Sequence, residues 1–357
     1  MAKPQDDAST EDDAAAIAAI LLRLSPDYAP TPLVNVPALA ARLGLAQVTA
    51  KDEGRRMLGS FKSLGGTYAG LRALARASGM EIAELLARRP RGLPALICAS
   101  DGNHGLAVAA AAKFSGTTAR IFLHEGVPPI RAGRIAAQGA EIEWTKGTYD
   151  DAVDAAEAAA RAGGGILVAD TSNDPADLVV RDVMAGYGVI AAEVRRQIDD
   201  TGQPRPTHLF VQAGVGGLAA ALAAGLKDWL APPAMIVVAE PAKAASVTAG
   251  LPSAVPVRIA GDLHTAAEML SCGEASAPAL NILRRCGADV ITVSEDDLLA
   301  APRLLAESQG PATTPSGAAG LAGLCRTVRD SDGARFLLNA ESRVLLVISE
   351  AGLDGQA

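Results

Sequence analysis

The stretch THLFVQAGVGGL (residues 207–218) joins an apolar run to a glycine-rich turn and an alanine-rich segment. Comparable apolar runs, each ended by a polar or glycine-bearing turn, recur at residues 93–100, 119–125, 140–144, 165–170, 235–241, 288–295 and 343–350. Unbroken runs of this kind are typical of strands buried on both faces, and intervening helices favour a parallel α/β arrangement. Ligands on such sheets bind at the carboxyl ends of the strands.

The composition limits the partners that the 357-residue chain can have. Its net charge is −8, and only 3% of its residues are aromatic. We therefore expect neither nucleic acid nor an anionic membrane surface as partner, since both bind basic patches. No apolar run is long enough to span a bilayer, so we expect no membrane-spanning segment. The acidic N-terminus lacks an apolar signal core and the four cysteines lack CxxC spacing, so we expect a cytoplasmic protein without a metal site.

Lys62 lies within SFKSLGG (60–66), a partly apolar segment that ends in two glycines. Burial makes an ammonium ion costly, so a lysine in this setting tends to lose its proton. A neutral amine is what an imine with an aldehyde cofactor requires. Taken alone, the segment also fits a lysine at the start of a helix with its head group in water.

The segment QAGVGGL (212–218) follows an apolar run and opens a helix-like stretch. Its backbone N–H groups can bind a phosphate, assisted by the helix dipole. The GxGxxA spacing from Gly214 to Ala219, with Glu240 at the end of the next predicted strand, also fits a dinucleotide fingerprint. A nicotinamide-dependent dehydrogenase is therefore an alternative at this point.

A polar cluster, DGNHG (101–105), directly follows the apolar run at 93–100. Asn103 can donate to a phenolate or carboxylate oxygen, and the N–H groups of the turn can bind an anion. A tight turn capped by asparagine explains the same residues. We interpret His104 as structural rather than catalytic.

Taken in order, SFKSLGG, SDGNHG and QAGVGG resemble the fold-type II pyridoxal-phosphate enzymes. This group includes the threonine and serine dehydratases, tryptophan synthase β and the diaminopropionate ammonia-lyases. Further segments resemble the ammonia-lyases: YAPTPL (28–33), KDEGRRMLGSFKSLGG (51–66), GTYDDAV (147–153), VADTS (168–172), MAGYG (184–188), VQAGVGG (211–217) and SCGEAS (271–276). The resemblance extends from about Tyr28 to Gly352.

The resemblance implies an α/β fold with two open, twisted, mainly parallel sheets flanked by helices. It implies a large cofactor-binding domain formed by residues 1–66 plus 163–357, and a small α/β domain formed by residues 67–162. It further implies pyridoxal 5'-phosphate as cofactor, a small amino acid as substrate, and a homodimer. We expect the small domain to close over the substrate.

The same resemblance assigns cofactor contacts residue by residue. Lys62 matches the lysine that forms the imine, and Asn103 matches the asparagine that holds the 3-oxygen of the cofactor. Ser349 resembles the hydroxyl residue that hydrogen-bonds to the pyridine nitrogen, a neutral partner that leaves this nitrogen largely unprotonated. The phosphate loop of the family matches Gly214, Val215, Gly216 and Gly217.

Asp101 and Asp170 match the two aspartates of the ammonia-lyases, whereas simple dehydratases usually have a small residue at the first position. We expect Lys62 and Asp101 to remove the α-proton from opposite faces of the substrate, and Asp170 or Lys62 to protonate the leaving group. The implied reaction is α,β-elimination from 2,3-diaminopropionate, or a close β-substituted amino acid, to a 2-keto acid and ammonia.

Two departures keep alternatives open. The loop DTSNDPA (170–176) lacks the aromatic residues of the ammonia-lyases, and TTPSGAAGLAGL (313–324) is similar to the related dehydratases. A serine/threonine-type dehydratase or racemase on the same fold is therefore the nearest alternative. The dehydrogenase leaves Lys62, Asp101 and Asn103 unexplained. The retained lysine argues against a third class, an amino-acid sensor that kept the fold without catalysis.

Overall fold

A computed structural model describes residues 8–330 and 334–352 of the chain. The helices of these residues are α1 (Ala8–Leu24), α2 (Pro37–Leu43), α3 (Lys62–Ser78), α4 (Ile82–Arg88), α5 (Asn103–Ser115), α6 (Pro129–Ala136), α7 (Tyr149–Arg161), α8 (Leu178–Thr201), α9 (Gly217–Leu226), α10 (Ser246–Gly250), α11 (Ala277–Arg285), α12 (Glu295–Glu307) and α13 (Ala319–Arg329). The strands are β1 (Leu33–Asn35), β2 (Gln47–Asp52), β3 (Leu96–Cys98), β4 (Ala119–His124), β5 (Glu141–Thr145), β6 (Ile166–Leu167), β7 (His208–Gln212), β8 (Met235–Pro241), β9 (Asp289–Val293) and β10 (Arg343–Ile348).

The strands form two sheets. One has six strands in the order β1-β2-β10-β7-β8-β9, and the other has four in the order β5-β4-β3-β6. All neighbouring strands run parallel except β1, which pairs antiparallel with β2. The predicted fold class, with two mainly parallel sheets flanked by helices, is confirmed. None of the helices in the described ranges is long and apolar enough to cross a bilayer.

The division into two domains stays a prediction, but one boundary needs correction. A boundary at residue 162 assigns β6 to the large domain, whereas β6 pairs with β3 in the four-stranded sheet. The Ile166 N–H donates to the Ala95 carbonyl (2.8 Å) and the Val168 N–H to the Ile97 carbonyl (2.8 Å). The predicted large domain also includes residues 1–7, 331–333 and 353–357, which lie outside the described part of the chain.

Strands β1 and β2 have no counterpart among the predicted apolar runs. β2 has the sequence QVTAKD, and its Lys51 is fully buried. The Lys51 ammonium donates to Glu193 of α8 (2.6 Å) and to the Thr31 carbonyl (2.8 Å). A buried cation therefore interrupts the apolar pattern by which the other strands are recognised.

Arg56 belongs to the same buried network. Its guanidinium lies 2.8 Å from a Glu53 oxygen and 2.7 Å from a Glu193 oxygen, and all three side chains are almost fully excluded from solvent. Burial would raise the pKa of Glu53, but the attraction of Arg56 outweighs it, so the pKa is lowered. Removing one partner of a buried ion pair costs about 3–5 kcal/mol. The network thus fixes the segment that precedes Lys62 against α8.

Candidate active site

Lys62 is the first residue of α3, and the segment before it is held by the end of β10. The Phe61 N–H donates to the Ser349 carbonyl (3.1 Å), and the Ala351 N–H donates to the Gly59 carbonyl (2.9 Å). Lys62 therefore lies beside the carboxyl end of β10, where ligands of parallel sheets bind.

Asp170, which follows β6, forms a salt bridge with Lys62. Burial by itself would lower the pKa of Lys62, but Asp170, assisted by Tyr187 and Cys272, raises it. Conversely, burial would raise the pKa of Asp170, and Lys62 and His104 lower it. The neighbouring carboxylate therefore opposes the loss of the Lys62 proton that burial favours, and the neutral amine stays a prediction.

The two glycines after Lys62 are explained by helix packing. A Cβ atom at Gly65 would lie 2.3 Å from the Tyr187 ring and 2.5 Å from the Val183 carbonyl oxygen. A Cβ atom at Gly66 would lie 2.6 Å from the Ala107 side chain. Gly65 and Gly66 therefore let α3 approach α8 and α5 closely, and this approach brings Lys62 next to the residues that follow β3 and β6.

His104 is buried, with 3% of its surface exposed, and its Nε2 lies 2.9 Å from the Val168 carbonyl oxygen. Because a carbonyl only accepts, Nε2 carries the proton in this bond. Burial lowers the pKa of His104, so the ring is neutral. The bond holds the chain two residues before Asp170, which supports the interpretation of His104 as a structural residue.

The predicted phosphate loop joins β7 to α9. Gly216 has a φ of +93° and caps the N-terminus of α9. The loop carbonyls are used by neighbours, since Ser246 donates to Gly214 (3.1 Å) and the Ser276 N–H donates to Val215 (2.9 Å). Within the described residues, the N–H groups of residues 214–216 donate no hydrogen bond. Such free donors at a helix N-terminus suit an anion such as phosphate.

Ser349 follows β10 and lies next to the phosphate loop. Its Oγ accepts from the Gln212 side-chain amide at 2.7 Å. Asn103, the first residue of α5, donates from its amide to Glu350 at 2.6 Å. Glu350 and Gln212 are functional candidates that the sequence interpretation missed, although Gln212 opens the quoted segment QAGVGGL and Glu350 ends the apolar run at 343–350. Burial raises the pKa of Glu350.

Asp101 has a cationic partner of its own. Its carboxylate contacts Arg131 of α6 at 2.9 Å, and Arg131 also bridges to Glu268. Arg131 therefore ties the turn after β3 to the segment before α11. The sequence gives no separate signal for Arg131, because a single arginine on an amphipathic helix is usually a solvated surface residue.

Tyr187 of α8 was also missed as a site residue. Its ring packs against Phe61 with centroids 4.8 Å apart, and only 1% of its surface is exposed. Its hydroxyl has no hydrogen-bond partner of acceptable geometry in the described residues. Burial raises the pKa of Tyr187. The hydroxyl thus remains a neutral, unsatisfied polar group close to Lys62.

The carboxylate of Glu240 has a purely structural function. It is fully buried and accepts from the Val247 N–H (2.7 Å), the Thr248 N–H (2.7 Å) and the Thr248 hydroxyl (2.7 Å). A carboxylate that caps α10 in this way is not available to a ribose. This removes the main support for the dehydrogenase alternative.

Comparison with known proteins decides the family. A family model described as "Pyridoxal-phosphate dependent enzyme" matches residues 24–350. This chain belongs to that family. It is therefore an enzyme whose cofactor is pyridoxal 5'-phosphate.

The chain is also similar to individual members of the family. It is 35% identical over 350 residues to a diaminopropionate ammonia-lyase of Salmonella typhimurium, covering 91% of this chain and 86% of that protein. It matches a crystal structure of the Escherichia coli diaminopropionate ammonia-lyase in complex with an aminoacrylate–PLP azomethine reaction intermediate, with a TM-score of 0.83, 30% identity, and coverage of 96% and 89%. An L-threonine dehydratase of Corynebacterium glutamicum is 32% identical over 240 residues, which are 66% of this chain and 50% of that protein.

The residues at this site fit pyridoxal phosphate. Lys62 would provide the amine for the aldehyde, and the free N–H groups of residues 214–216 suit the phosphate. The Ser349 hydroxyl and the Asn103 amide would provide polar contacts for the ring nitrogen and the 3-oxygen. The unsatisfied Tyr187 hydroxyl is a further polar group that a bound cofactor can satisfy.

We predict that Gly216→Asp weakens cofactor binding about tenfold or more, an affinity change of about 1.4 kcal/mol. An added Cβ atom would lie 3.2 Å from Ala279 and 3.3 Å from Val247, so the substitution disturbs the packing of the loop and brings a negative charge close to the proposed phosphate site. The measurement is titration of the apoenzyme with pyridoxal phosphate, followed by the visible absorption of the bound cofactor.

The matched control is Gly44→Asp. Gly44 also has a left-handed backbone (φ +67°) but caps α2 in open space, so it reproduces the backbone strain without the nearby phosphate. Cofactor affinity should stay at the wild-type value in this control. Equal affinities in the two variants and the wild type would show that the loop is only a structural turn.

Proposed function

We propose that this enzyme is an ammonia-lyase that carries out α,β-elimination on 2,3-diaminopropionate, or on a close β-substituted amino acid. The observation that carries the proposal is the placement of two carboxylates, Asp101 and Asp170, directly after the paired strands β3 and β6. Each is oriented by a cation, Arg131 or Lys62. The similarity to diaminopropionate ammonia-lyases over most of the chain supports the same activity.

A carboxylate next to a cofactor that carries a phosphate dianion is electrostatically unfavourable, so we infer that it has a function at this site. Binding the β-ammonium group of a substrate would be such a function, because this group carries an additional positive charge near the reacting carbon. The hydroxyl groups of serine and threonine carry no such charge. Two aspartates at this site therefore favour a diamino acid.

Proton transfer at the α-carbon is the first step assigned to the protein. Pyridoxal phosphate, when bound, delocalises the electron pair that remains at the α-carbon after deprotonation. We assign the proton on one face of the substrate to Lys62 and the proton on the opposite face to Asp101. The two bases would then serve the two enantiomers.

Departure of the β-amino group is the second step. Cleavage of the Cβ–N bond leaves the electron pair on nitrogen. A β-ammonium group departs directly as ammonia, whereas a neutral β-amino group needs one proton. Lys62 can pass on the proton that it takes from the α-carbon, and it pairs with Asp170, so we assign Lys62 as the proton donor to a neutral leaving amine. We assign Asp170 to holding the leaving amine and the lysine ammonium. The released unsaturated amine then hydrolyses to the 2-keto acid and a second ammonia.

We further propose a cytoplasmic homodimer. All four cysteines are free thiols, which supports a reducing compartment. Residues of α1, α8, α9 and α11 line an open groove of about 800 Å³, including Gly188, Ala192 and Ala221. Small residues along such a groove permit close helix packing by a second copy. Light scattering tests the dimer, since a mass near the 36.2 kDa of one chain would contradict it.

A serine/threonine-type dehydratase or racemase is the second candidate. It is favoured by the loop at 170–176, where the aromatic residues of the ammonia-lyases are absent, and by the similarity to an L-threonine dehydratase. Serine differs from diaminopropionate only in its β-substituent, and threonine carries an additional β-methyl group. The same catalytic groups could act on all three, and the two functions are separated by direct competition between substrates.

We predict that 2,3-diaminopropionate releases ammonia faster than serine or threonine when the D- and L-forms of each are assayed side by side. Asp101→Asn keeps the side-chain shape and an oxygen for Arg131 but removes the base. It should preserve the visible band of the Lys62-linked cofactor and reduce turnover of one enantiomer by about 10²–10⁴-fold, the usual contribution of a general base.

Glu268→Gln is the control for this experiment. It weakens the second contact of Arg131 while leaving the carboxylate of Asp101 in place. The ratio of D- to L-turnover should therefore stay at the wild-type value. If serine or threonine is the fastest substrate and Asp101→Asn has no effect, the ammonia-lyase proposal fails and the dehydratase stands.

A further inference from the structure

Gln212 and Ser349 lie side by side at the ends of neighbouring parallel strands. Gln212 ends β7 directly before the phosphate loop, and Ser349 directly follows β10. Gln212 has 2% and Ser349 4% of its surface exposed, so water does not compete for their hydrogen bonds. The contacts between them are therefore set by the protein.

The orientation of the Gln212 amide is fixed by backbone carbonyls. Its Nε2 lies 3.0 Å from the Gly317 carbonyl oxygen and 3.1 Å from the Val347 carbonyl oxygen. Carbonyl oxygens only accept, so the NH₂ group must face them. The flipped amide would bring its own oxygen against both carbonyls and against Ser349.

This orientation sets the direction of the Ser349 hydroxyl. Gln212 Nε2 is 2.7 Å from Ser349 Oγ and has no lone pair to offer, so Oγ accepts in this bond. Within the described residues the Ser349 hydroxyl hydrogen has no acceptor of its own. Ser349 thus presents a hydrogen-bond donor at the site.

In this orientation the oxygen of the Gln212 amide is left without a hydrogen bond from the described residues. Gln212 Oε1 is buried without a hydrogen-bond partner in the described part of the chain. A buried acceptor without a partner destabilises the fold, because folding removes it from water without replacing its hydrogen bond. A Cβ atom at Gly320 would lie 3.1 Å from Oε1 and 2.9 Å from the Phe210 carbonyl, so the neighbouring helix is also adapted to the amide. An apolar side chain of similar size at position 212 would avoid this unsatisfied oxygen. The presence of glutamine therefore indicates that its NH₂ group is needed as a hydrogen-bond donor.

We propose that Gln212 is a positioning residue that makes Ser349 a hydrogen-bond donor to the pyridine nitrogen of the cofactor. A hydroxyl that donates to this nitrogen occupies its lone pair and opposes its protonation. An unprotonated ring withdraws electrons less strongly than a pyridinium ring, so charge at the α-carbon is short-lived and expulsion of a β-substituent is favoured. The inference rests on the cofactor of the family and not on the proposed substrate.

The test is the ¹⁵N chemical shift of pyridoxal phosphate labelled at the ring nitrogen and bound to the enzyme, followed across pH. The wild-type signal should be that of an unprotonated, hydrogen-bonded nitrogen. In Gln212→Met the carbonyls of Gly317 and Val347 lose their donor and can accept from the Ser349 hydroxyl. The hydroxyl hydrogen then points away from the ring, and a lone pair of Ser349 Oγ faces the ring nitrogen. The apparent pKa of the ring nitrogen should then rise by about one unit or more.

Two further variants keep the result interpretable. Gln212→Glu supplies an acceptor for the Ser349 hydroxyl and should shift the ring nitrogen in the same direction, which provides a second reading if the methionine variant does not fold. In a Ser349→Ala background the substitution Gln212→Met should cause no additional shift, because the group through which Gln212 acts is gone.

Gln197→Met is the matched control. Gln197 donates to the Thr31 carbonyl (2.8 Å) in the network around Lys51, so its loss removes a glutamine–carbonyl bond far from the cofactor. The ring-nitrogen signal should not change. A protonated ring nitrogen in the wild type, or an unchanged signal in both Gln212 variants, overturns the inference. Failure of the protein to bind the cofactor would instead contradict the proposed function as well.

Discussion

The hydrogen bonds between the end of β10 and the segment before α3 determine how the site is built. The Phe61 N–H binds the Ser349 carbonyl, and the Ala351 N–H binds the Gly59 carbonyl. These bonds place Lys62 beside Ser349, while the phosphate loop follows the adjacent strand β7. The amine, the ring-nitrogen contact and the phosphate contact are thus fixed by two neighbouring strand ends and the main chain between them.

Charge is distributed so that each of the two carboxylates proposed for catalysis has a cation from another element. Asp170, which follows β6, pairs with Lys62 of α3, and Asp101, which follows β3, pairs with Arg131 of α6. The lysine pair connects the helix next to β10 with the four-stranded sheet. The attraction between the two charges raises the pKa of Lys62 and lowers that of Asp170, so each side chain stabilises the ionised form of the other. A buried Lys51–Glu193–Arg56 network secures the approach to this region without taking part in it.

The fold was predictable because most of its strands are unbroken apolar runs, and the ordered motifs identified the positions around Lys62, Asn103 and Gly216. β2 was not predictable by the same rule, since Lys51 is buried by an ion pair with a residue 142 positions away. The pairing of Lys62 with Asp170 was not predicted, for a related reason. Local sequence showed an apolar, glycine-bearing setting, but the charge that matters is contributed by Asp170, which is distant in sequence. Gln212 and Glu350 were missed because their importance depends on which strand ends become neighbours.

The central claim is that Lys62, and no other lysine, carries the cofactor. Lys51 is the alternative within the same motif, but its ammonium is committed to Glu193 and to the Thr31 carbonyl. Borohydride reduction of the holoenzyme followed by peptide mass spectrometry tests this directly, because reduction fixes the cofactor covalently on the lysine that holds it. The account predicts that the pyridoxyl group is found on Lys62 and that Lys62→Ala yields no labelled peptide. Label on Lys51, or label that persists in Lys62→Ala, would contradict it.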